Sequence, residues 1–309
     1  MHGQSAMPGS PPYNPPNIVQ PFDTHGGIAQ MYVAVGDAPP VFFGSALARV
    51  NLAISEIDVT DASGNSLVAA KYSTPRVVDL LQFQDGSGDS VGQASVNNLQ
   101  TYRQIRFVID AGASSVLYTG GLSAPLNFVT DNDSSSAHAG KATSTAYLSA
   151  GRVAITENGT FSIGSSASEL VNVDFNLMES LAPSVGYHSS GSGAALSVRP
   201  TLFVAAGSNE GTISGTVVNQ NGTPVSNAVV VAVGQGNQVG NAVATNASGN
   251  FLLHTLAAGT YRLEVYNQYT NSAGANFSAT GASSNRDRVK GITITISPGQ
   301  TANAGIIQD

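Results

Sequence analysis

The feature that most constrains this chain is an alternation of apolar and polar residues with a period of two. It recurs along the chain, for example in the segments beginning at Met31, Val50, Ile105 and Val171. A period of two is typical of β-strands that bury one face. Since no stretch carries an apolar stripe of helical period over three turns, the sequence predicts an all-β fold.

Two local signals add detail to the predicted strands. The apolar phase slips by one residue between Ile54 and Ile57, which predicts a β-bulge or a strand break. Asn158-Gly159 lies between two short alternating segments. Because Asn-Gly adopts the positive φ angles of a type I′ turn, these segments are predicted to form a hairpin.

The chain divides into three predicted regions. Residues 1–27 form an extended arm that begins with a Pro-rich, low-complexity stretch, for which polyproline II is expected. Residues 28–205 form a β domain, and residues 206–309 form a second one. The segment Ala205–Asn209 is the predicted linker between these two domains.

The second domain shows short strands at regular spacing with turn signals between them. Val229–Val233 is apolar at every position, which predicts a strand buried on both faces. The spacing is typical of a Greek-key β-sandwich. The expected architecture is therefore two β-sandwich modules in series.

The C-terminal domain resembles the carboxypeptidase regulatory-like family, which has a transthyretin-like sandwich. The matching residues are Gly215-Thr-Val217, Pro224-Val225, Asn227-Ala-Val-Val230, Gly249-Asn-Phe251 and Gly259-Thr-Tyr261-Arg-Leu263. Gly249 and Gly259 are expected at turns that need a permissive backbone, and Phe251, Tyr261 and Leu263 are expected in the core.

The upstream domain resembles an uncharacterised prealbumin-like domain of secreted microbial surface lipoproteins. The residues that carry this resemblance are Val35-Gly-Asp-Ala-Pro39, Val78-Asp-Leu-Leu81, Tyr102-Arg-Gln-Ile-Arg106 and Val173-Asp-Phe175. The resemblance implies a β fold and a location on the cell surface, with no established activity.

Composition excludes several classes of function. Charged residues make up 10% of the chain and Lys occurs only three times, so no basic patch exists to bind nucleic acid. No apolar run approaches the roughly 18 residues that a membrane-spanning helix requires. The chain has no Cys, which excludes disulfides and thiol chemistry.

One segment carries oxygen ligands at alternate positions. Asp85, Ser87 and Asp89 resemble the start of a calcium loop, but Ser90 and Val96 stand where an EF-hand requires Gly and Glu. The sequence predicts at most a weak, incidental Ca²⁺ site, and the alternative is a solvated turn. No other cofactor is expected.

The same segment contains a pattern of the nucleophile-elbow type, Gly88-Asp-Ser90-Val-Gly92. An elbow needs a strand before the Ser and a helix after it. Here a polar loop in an all-β setting is expected instead, and the candidate bases are His138, His188 and His254. The chain is therefore predicted not to be an enzyme, with a serine hydrolase using Ser90 as a minor alternative.

Two tyrosines are candidates for a ligand-binding surface. Tyr266 and Tyr269 would form a small exposed ridge on which a saccharide could stack, although strand aromatics more often pack against neighbours. This ridge supports the alternative function, a cell-surface adhesin or carbohydrate-binding module whose ligands are glycans.

The favoured hypothesis is an extracellular structural or interaction protein whose partner is itself or another surface protein. An extended arm can complete a neighbour's sheet by strand addition and so generate a pilus-like filament. The candidate donor residues are Phe22, Ile28, Met31, Val33 and Val35, although an intramolecular first strand explains their alternation equally well. Sequence alone leaves open the oligomeric state, the ligand and the anchoring route.

Overall fold

The computed structural model describes residues 28–36, 47–83, 88–129, 143–183, 196–235, 239–270, 276–282 and 289–309. These residues form β-strands with a single helical turn and short 3₁₀ turns, arranged as two sandwiches. The predicted all-β fold is confirmed. The predicted arm, residues 1–27, lies outside the described residues.

In the part of the N-terminal domain that the structure describes, the chain forms fourteen strands and one short helix. The strands are β1 Ile28–Gly36, β2 Leu47–Asp61, β3 Ser66–Asp79, β4 Asp89–Asn97, β5 Thr101–Asp110, β6 Ser115–Tyr118, β7 Ser123–Phe128, β8 Thr143–Tyr147, β9 Arg152–Glu157, β10 Phe161–Ser162, β11 Ser168–Phe175, β12 Leu181–Pro183, β13 Leu196–Val198 and β14 Leu202–Ala206. The helix is α1, Leu177–Ser180.

These strands form a four-stranded sheet, β14-β11-β1-β4, and a ten-stranded sheet. The larger sheet has the order β12-β13-β7-β6-β2-β5-β9-β8, with β10 paired to β5 and β3 paired to β2. In the smaller sheet β1 runs parallel to β11 and antiparallel to β4. Apolar side chains of both sheets meet in one continuous core, which includes Met31, Ile57 and Phe107.

The predicted irregularity in the second strand is a β-bulge. The register of β2 shifts between Ile54 and Glu56, both against β3 and against β5. Ile54 and Ile57 are both fully buried. The extra residue at Ser55 lets the strand bury apolar side chains on either side of the phase slip.

The hairpin predicted at Asn158-Gly159 is wrong. β9 and β10 do not pair with each other, because each pairs with a different part of β5. Neither Asn158 nor Gly159 has a positive φ angle. The chain continues along the same edge of β5, so no reversal takes place there.

The C-terminal domain contains the strands β15 Glu210–Val218, β16 Val229–Val233, β17 Val239–Ala244, β18 Asn250–Ala257, β19 Gly259–Tyr266, β20 Gln268–Thr270, β21 Asn276–Ser278, β22 Val289–Ile296 and β23 Thr301–Gln308. A three-stranded sheet, β18-β15-β23, packs on a four-stranded sheet, β17-β16-β19-β22. β20 and β21 form a separate small ribbon. This arrangement agrees with the predicted sandwich.

The predicted core and turn residues of this domain are placed as expected, with one exception. Phe251, Tyr261 and Leu263 are buried in the sandwich core. Gly249 has a φ angle of 74°, which only Gly adopts without strain. Gly259 does not occupy such a turn, since it is the first residue of β19 and has no positive φ angle.

The boundary between the domains is a tight turn and not an open linker. Ala205 and Ala206 of the predicted linker are buried in β14, which belongs to the first domain's sheet. The 3₁₀ turn Gly207–Asn209 follows and leads directly into β15. The amide of Ser208 donates to Glu169, and the amide of Ala258 donates to the carbonyl of Asn209. The turn is thus bonded to both domains.

No helix within the described residues has the length and apolar character needed to cross a membrane.

Candidate functional site

The two sandwiches share a buried apolar contact. Met178 of α1 and Ala182 of β12 pack against the C-terminal domain. Their partners there are the buried side chains of Val229, Val231, Val233, Ala242, Ala244 and Tyr269. One face of β16 therefore lies against the first domain, while Val230 and Ala232 on its other face lie in the C-terminal core.

This contact accounts for the strand predicted to be buried on both faces. All five residues of β16 are buried, as the uniformly apolar sequence indicated. The burial on one side comes from the neighbouring domain.

Asn241 of β17 is the centre of a buried polar network beneath this contact. Its amide nitrogen donates to Oδ2 of Asp174 at 2.7 Å and to the carbonyl of His254 at 2.7 Å. Its amide oxygen accepts from Asn176 at 2.8 Å. Asn176 also donates to the carbonyl of Ala242, so this network joins β11 to β17 and β18.

Two further polar contacts cross the interface. The hydroxyl of Tyr269 donates to Glu179 of α1 at 2.5 Å. Asn172 donates to Glu210, whose second carboxylate oxygen accepts from the amide of Thr255 at 3.0 Å. Such contacts fix the relative position of the domains, because shifting either domain would leave buried polar groups without partners.

The polar residues of β11 supply one side of this interface. Val171, Val173 and Phe175 point into the N-terminal core, whereas Asn172 and Asp174 alternate with them. The alternation indicated a strand with one apolar face. Its polar face is covered by the second domain, and Asp174 is only 1% exposed.

A cleft of about 410 Å³ opens between the domains. Its walls include Thr143, Glu157 and Thr201 of the first domain and Val239, Thr255 and Tyr261 of the second. Glu157 accepts a hydrogen bond from Thr143 and is 6% exposed. Burial raises the pKa of Glu157 to about 7. The cleft therefore presents a carboxyl group that changes charge near neutral pH.

A second, much smaller cavity of about 10 Å³ lies at the same interface. Asp174 and His254 both line it. Oδ1 of Asp174 and Nε2 of His254 are buried and have no hydrogen-bond partner among the described residues.

The residues predicted for Ca²⁺ are only partly described. Asp85 and Ser87 lie outside the described residues. Asp89 lies at the start of β4, where it pairs with Arg76 at 2.6 Å. The calcium site remains a prediction, and one of its carboxylates already has a cationic partner.

The prediction of a loop around Ser90 is wrong for the second half of that segment, which is a strand. Asp89 and Ser90 belong to β4, and Ser90 pairs with Ala34 of β1. Ser90 is thus within a strand, without the strand–turn–helix geometry of a nucleophile elbow. Of the candidate bases, His254 is buried beside Thr255, and His138 and His188 lie outside the described residues.

The prediction of an exposed tyrosine ridge is also wrong. The rings of Tyr266 and Tyr269 do contact each other edge to face, with centroids 5.4 Å apart. However, Tyr269 is only 9% exposed and packs against Met178 and Ala182. The pair belongs to the domain interface, where it is not available as a stacking platform.

The predicted donor strand is an internal strand of its own sheet. Ile28, Met31, Val33 and Val35 lie in β1 between β11 and β4. Met31, Val33 and Val35 are at most 1% exposed because they fill the N-terminal core. The intramolecular alternative is therefore correct for these residues, and Phe22 lies outside the described residues.

Sequence reasoning missed the residues that build the interface. Asp174 belonged to a noted polar alternation, but Asn241, Glu157 and Glu179 carry no local signal. Their roles depend on partners tens of residues away in sequence. Two signals for the interface were available in the sequence: the uniformly apolar strand β16, and the polar face of β11 in the other domain.

Comparison with known proteins gives structural neighbours of low similarity. The chain is 12% identical to BcpA, the major pilin subunit of Bacillus cereus, over 91% of this chain and 98% of that one, with a TM-score of 0.25. It is 9% identical to GBS52, the minor pilin of Streptococcus agalactiae, over 91% and 94%, with a TM-score of 0.23. A putative cell adhesion protein from Bacteroides fragilis shows 12% identity over 91% and 93%, with a TM-score of 0.21. No curated protein matches the chain.

Two family models match, in the order that the sequence predicted. The carboxypeptidase regulatory-like domain matches residues 212–306, which covers most of the C-terminal sandwich. The model of a domain of unknown function, DUF4382, matches residues 28–191 and so spans more than half of the chain. The protein therefore belongs to the DUF4382 family and carries a carboxypeptidase regulatory-like domain at its C-terminal end.

Proposed function

We propose that this protein is a non-enzymatic structural or interaction protein of the cell exterior that assembles with copies of itself. The observation that carries this proposal is the buried interface, which joins two sandwiches into one unit through Asn241, Tyr269 and β16. A subunit of an assembly needs such a fixed connection, because its two modules must keep the same relative position in every copy.

The C-terminal sandwich offers an edge at which a further strand can add. Within the described residues β23 pairs only with β15, so its other edge has no strand beside it. The strand contains no Lys, Arg or Pro, the residues that commonly protect such edges. Ile306 on this strand is 72% exposed. These properties suit main-chain pairing with an extended segment.

The donor in this proposal is the Pro-rich arm, residues 1–27, of a second copy. β1 is excluded from donation because its side chains fill its own core. Apolar residues of the arm such as Ile18, Val19 and Phe22 are suited to contact an acceptor sheet. Contact between the arm of one copy and β23 of the next would be head-to-tail, and such a contact builds a filament when the rotation between copies does not close a ring.

Electron microscopy of the native protein at high concentration tests this proposal. The full chain should form filaments, and a chain that lacks residues 1–22 should remain monomeric. Ile306→Lys should also prevent assembly, because a charge on the edge strand opposes pairing. Leu122→Lys, at an exposed apolar site of the first domain, serves as the matched control and should still assemble. Filaments formed by the truncated chain would show that the arm is not the donor.

A role in glycan binding would require a surface other than the Tyr266–Tyr269 pair, because Tyr269 is buried. A hydrolase role for Ser90 lacks the required turn. Assembly is therefore the function that the described residues support best.

A further inference from the structure

The cleft between the domains contains a carboxylate oxygen that has no protein partner. Glu157 of β9 lines the cleft and is only 6% exposed. Its Oε2 accepts from the hydroxyl of Thr143, whereas its Oε1 has no hydrogen-bond donor among the described residues. Oε1 lies beside Gly159, which also lines the cleft, and a Cβ on this glycine would come within 3.2 Å of it. The missing side chain thus leaves space next to this oxygen.

The polar groups around this oxygen favour a ligand that donates hydrogen bonds and carries a positive charge. Three hydroxyl groups that line the cleft donate within the protein, namely those of Thr143 to Glu157, of Tyr261 to the carbonyl of Ala257 and of Tyr269 to Glu179. Among the described residues that line the cleft, Glu157 and Glu179 are acidic and none is Lys, Arg or His. An anion would therefore be repelled, and a cation would be attracted.

Apolar side chains from both domains form the rest of the walls. Phe203 and Val204 of β14 line the cleft from one side, and Val239 of β17 and Ala257 of β18 line it from the other. The volume of about 410 Å³ is within the range of small-molecule sites, roughly 300–1,000 Å³. The cleft therefore has room for a small organic molecule with an apolar part.

We propose that this cleft binds a small organic cation, with a primary ammonium group on Oε1 of Glu157 and an apolar stem along Val204 and Val239. A charge-assisted hydrogen bond to a buried carboxylate is strong, and it would give Oε1 the donor it lacks. An ammonium fits better than a guanidinium, because a guanidinium prefers both oxygens of a carboxylate and Oε2 is already bonded to Thr143.

A free alkylamine and the lysine side chain of a peptide share this chemistry. The site is separate from the proposed assembly edge, since none of the residues that line the cleft belongs to β23. Filament formation and amine binding can therefore be tested independently, and the failure of one does not affect the other.

Titration of the full chain with pentylamine and with Nα-acetyl-lysine N-methylamide, followed by amide chemical shifts, tests the proposal. The titration is run at pH 8, where Glu157 is mostly ionised because burial raises its pKa only to about 7. At least one of the two amines should bind saturably, with the largest shifts at Gly159 and Gly240 of the cleft. The compound that binds more tightly identifies a free amine or a peptide as the source.

Uncharged analogues provide a control that requires no variant. Pentanol and Nα-acetyl-norleucine N-methylamide have the same stems without the ammonium group, and they should bind at least about tenfold more weakly than the matching amines. Equal binding of an amine and its uncharged analogue would overturn the proposal, as would the absence of saturable binding by both amines. Shifts confined to residues outside the cleft would also overturn it.

A matched pair of substitutions tests the role of the carboxylate. Glu157→Gln keeps the size of the side chain but removes its charge, so it should weaken amine binding at least about tenfold. Glu56→Gln removes the same charge on the outer face of β2, where Glu56 pairs with Lys71, and should bind like the wild type. Unchanged binding by a folded Glu157→Gln would contradict the proposal. Should this variant fail to fold, the comparison of each amine with its uncharged analogue still decides the question.

Discussion

At the scale of single residues, the protein buries carboxyl groups along its domain interface. Glu157 shows the consequence most directly. It accepts from the hydroxyl of Thr143, and that hydroxyl in turn accepts from the amide of Leu202 in β14. The carboxyl group is thus held by hydrogen bonds, but burial still favours its neutral form and raises its pKa from 4.5 to about 7.

This shift predicts that stability falls as the pH rises. The folded pKa of Glu157 lies above its unfolded value, so its favourable contribution is complete below pH 4.5 and is lost as the pH rises through about 7. The loss should reach about 3 kcal/mol when fully developed. Glu157→Gln should remove this part of the pH dependence. Urea unfolding at pH 5 and pH 8 measures the difference.

The control for this experiment is Glu56→Gln, on the outer face of β2, where Glu56 pairs with Lys71. It should retain the full decrease in stability between the two pH values. An unchanged pH dependence in Glu157→Gln would contradict the assignment.

At the scale of elements, local signals predicted the features that depend on local geometry. The phase slip between Ile54 and Ile57 predicted the bulge in β2, because a change of face requires an extra residue at that point. The Asn158-Gly159 turn failed because β5 is long enough to pair with β9 and β10 end to end. A two-residue motif does not show that the segments on either side of it will pair with a third strand instead of with each other.

The turn before β18 allows a test of backbone geometry with a matched pair of glycines. Gly222 and Gly249 both have positive φ angles, 77° and 74°. A Cβ at Gly222 would meet nothing within 4 Å, whereas a Cβ at Gly249 would overlap the carbonyl oxygen of Val217. Gly222→Ala should cost about 1 kcal/mol of unfolding free energy and Gly249→Ala at least ~3 kcal/mol. Equal losses in chemical denaturation would show that the close contact is unimportant.

At the scale of the whole molecule, β16 makes the two sandwiches interdependent. Uniform apolarity predicted that Val229–Val233 would be buried on both faces, and the structure agrees. The sequence could not indicate that Met178 and Ala182 of the other domain provide the cover. The apolar character of each residue predicts that it is buried, whereas the residues that pack against it are determined only by the folded structure.

Two adjacent substitutions should separate these roles. Val231→Asp places a charge in the domain interface, and Val230→Asp places one in the C-terminal core. Calorimetry of the wild type should give one cooperative transition. Val231→Asp should split it into two, because the domains separate while each remains folded; Val230→Asp should abolish the C-terminal transition. A single transition in Val231→Asp would mean that the interface contributes little.

The double role of β16 also limits which substitutions this protein can accumulate during evolution. A substitution at Val231 alters the fit to Met178 in a domain encoded more than fifty residues earlier. The C-terminal sandwich matches a sequence family of its own, but exchange for a relative that lacks this apolar face would expose Met178 and Ala182 to water. Sequence drift on the two sides of the Gly207–Asn209 turn should therefore be correlated, and the two modules should be inherited together as one unit.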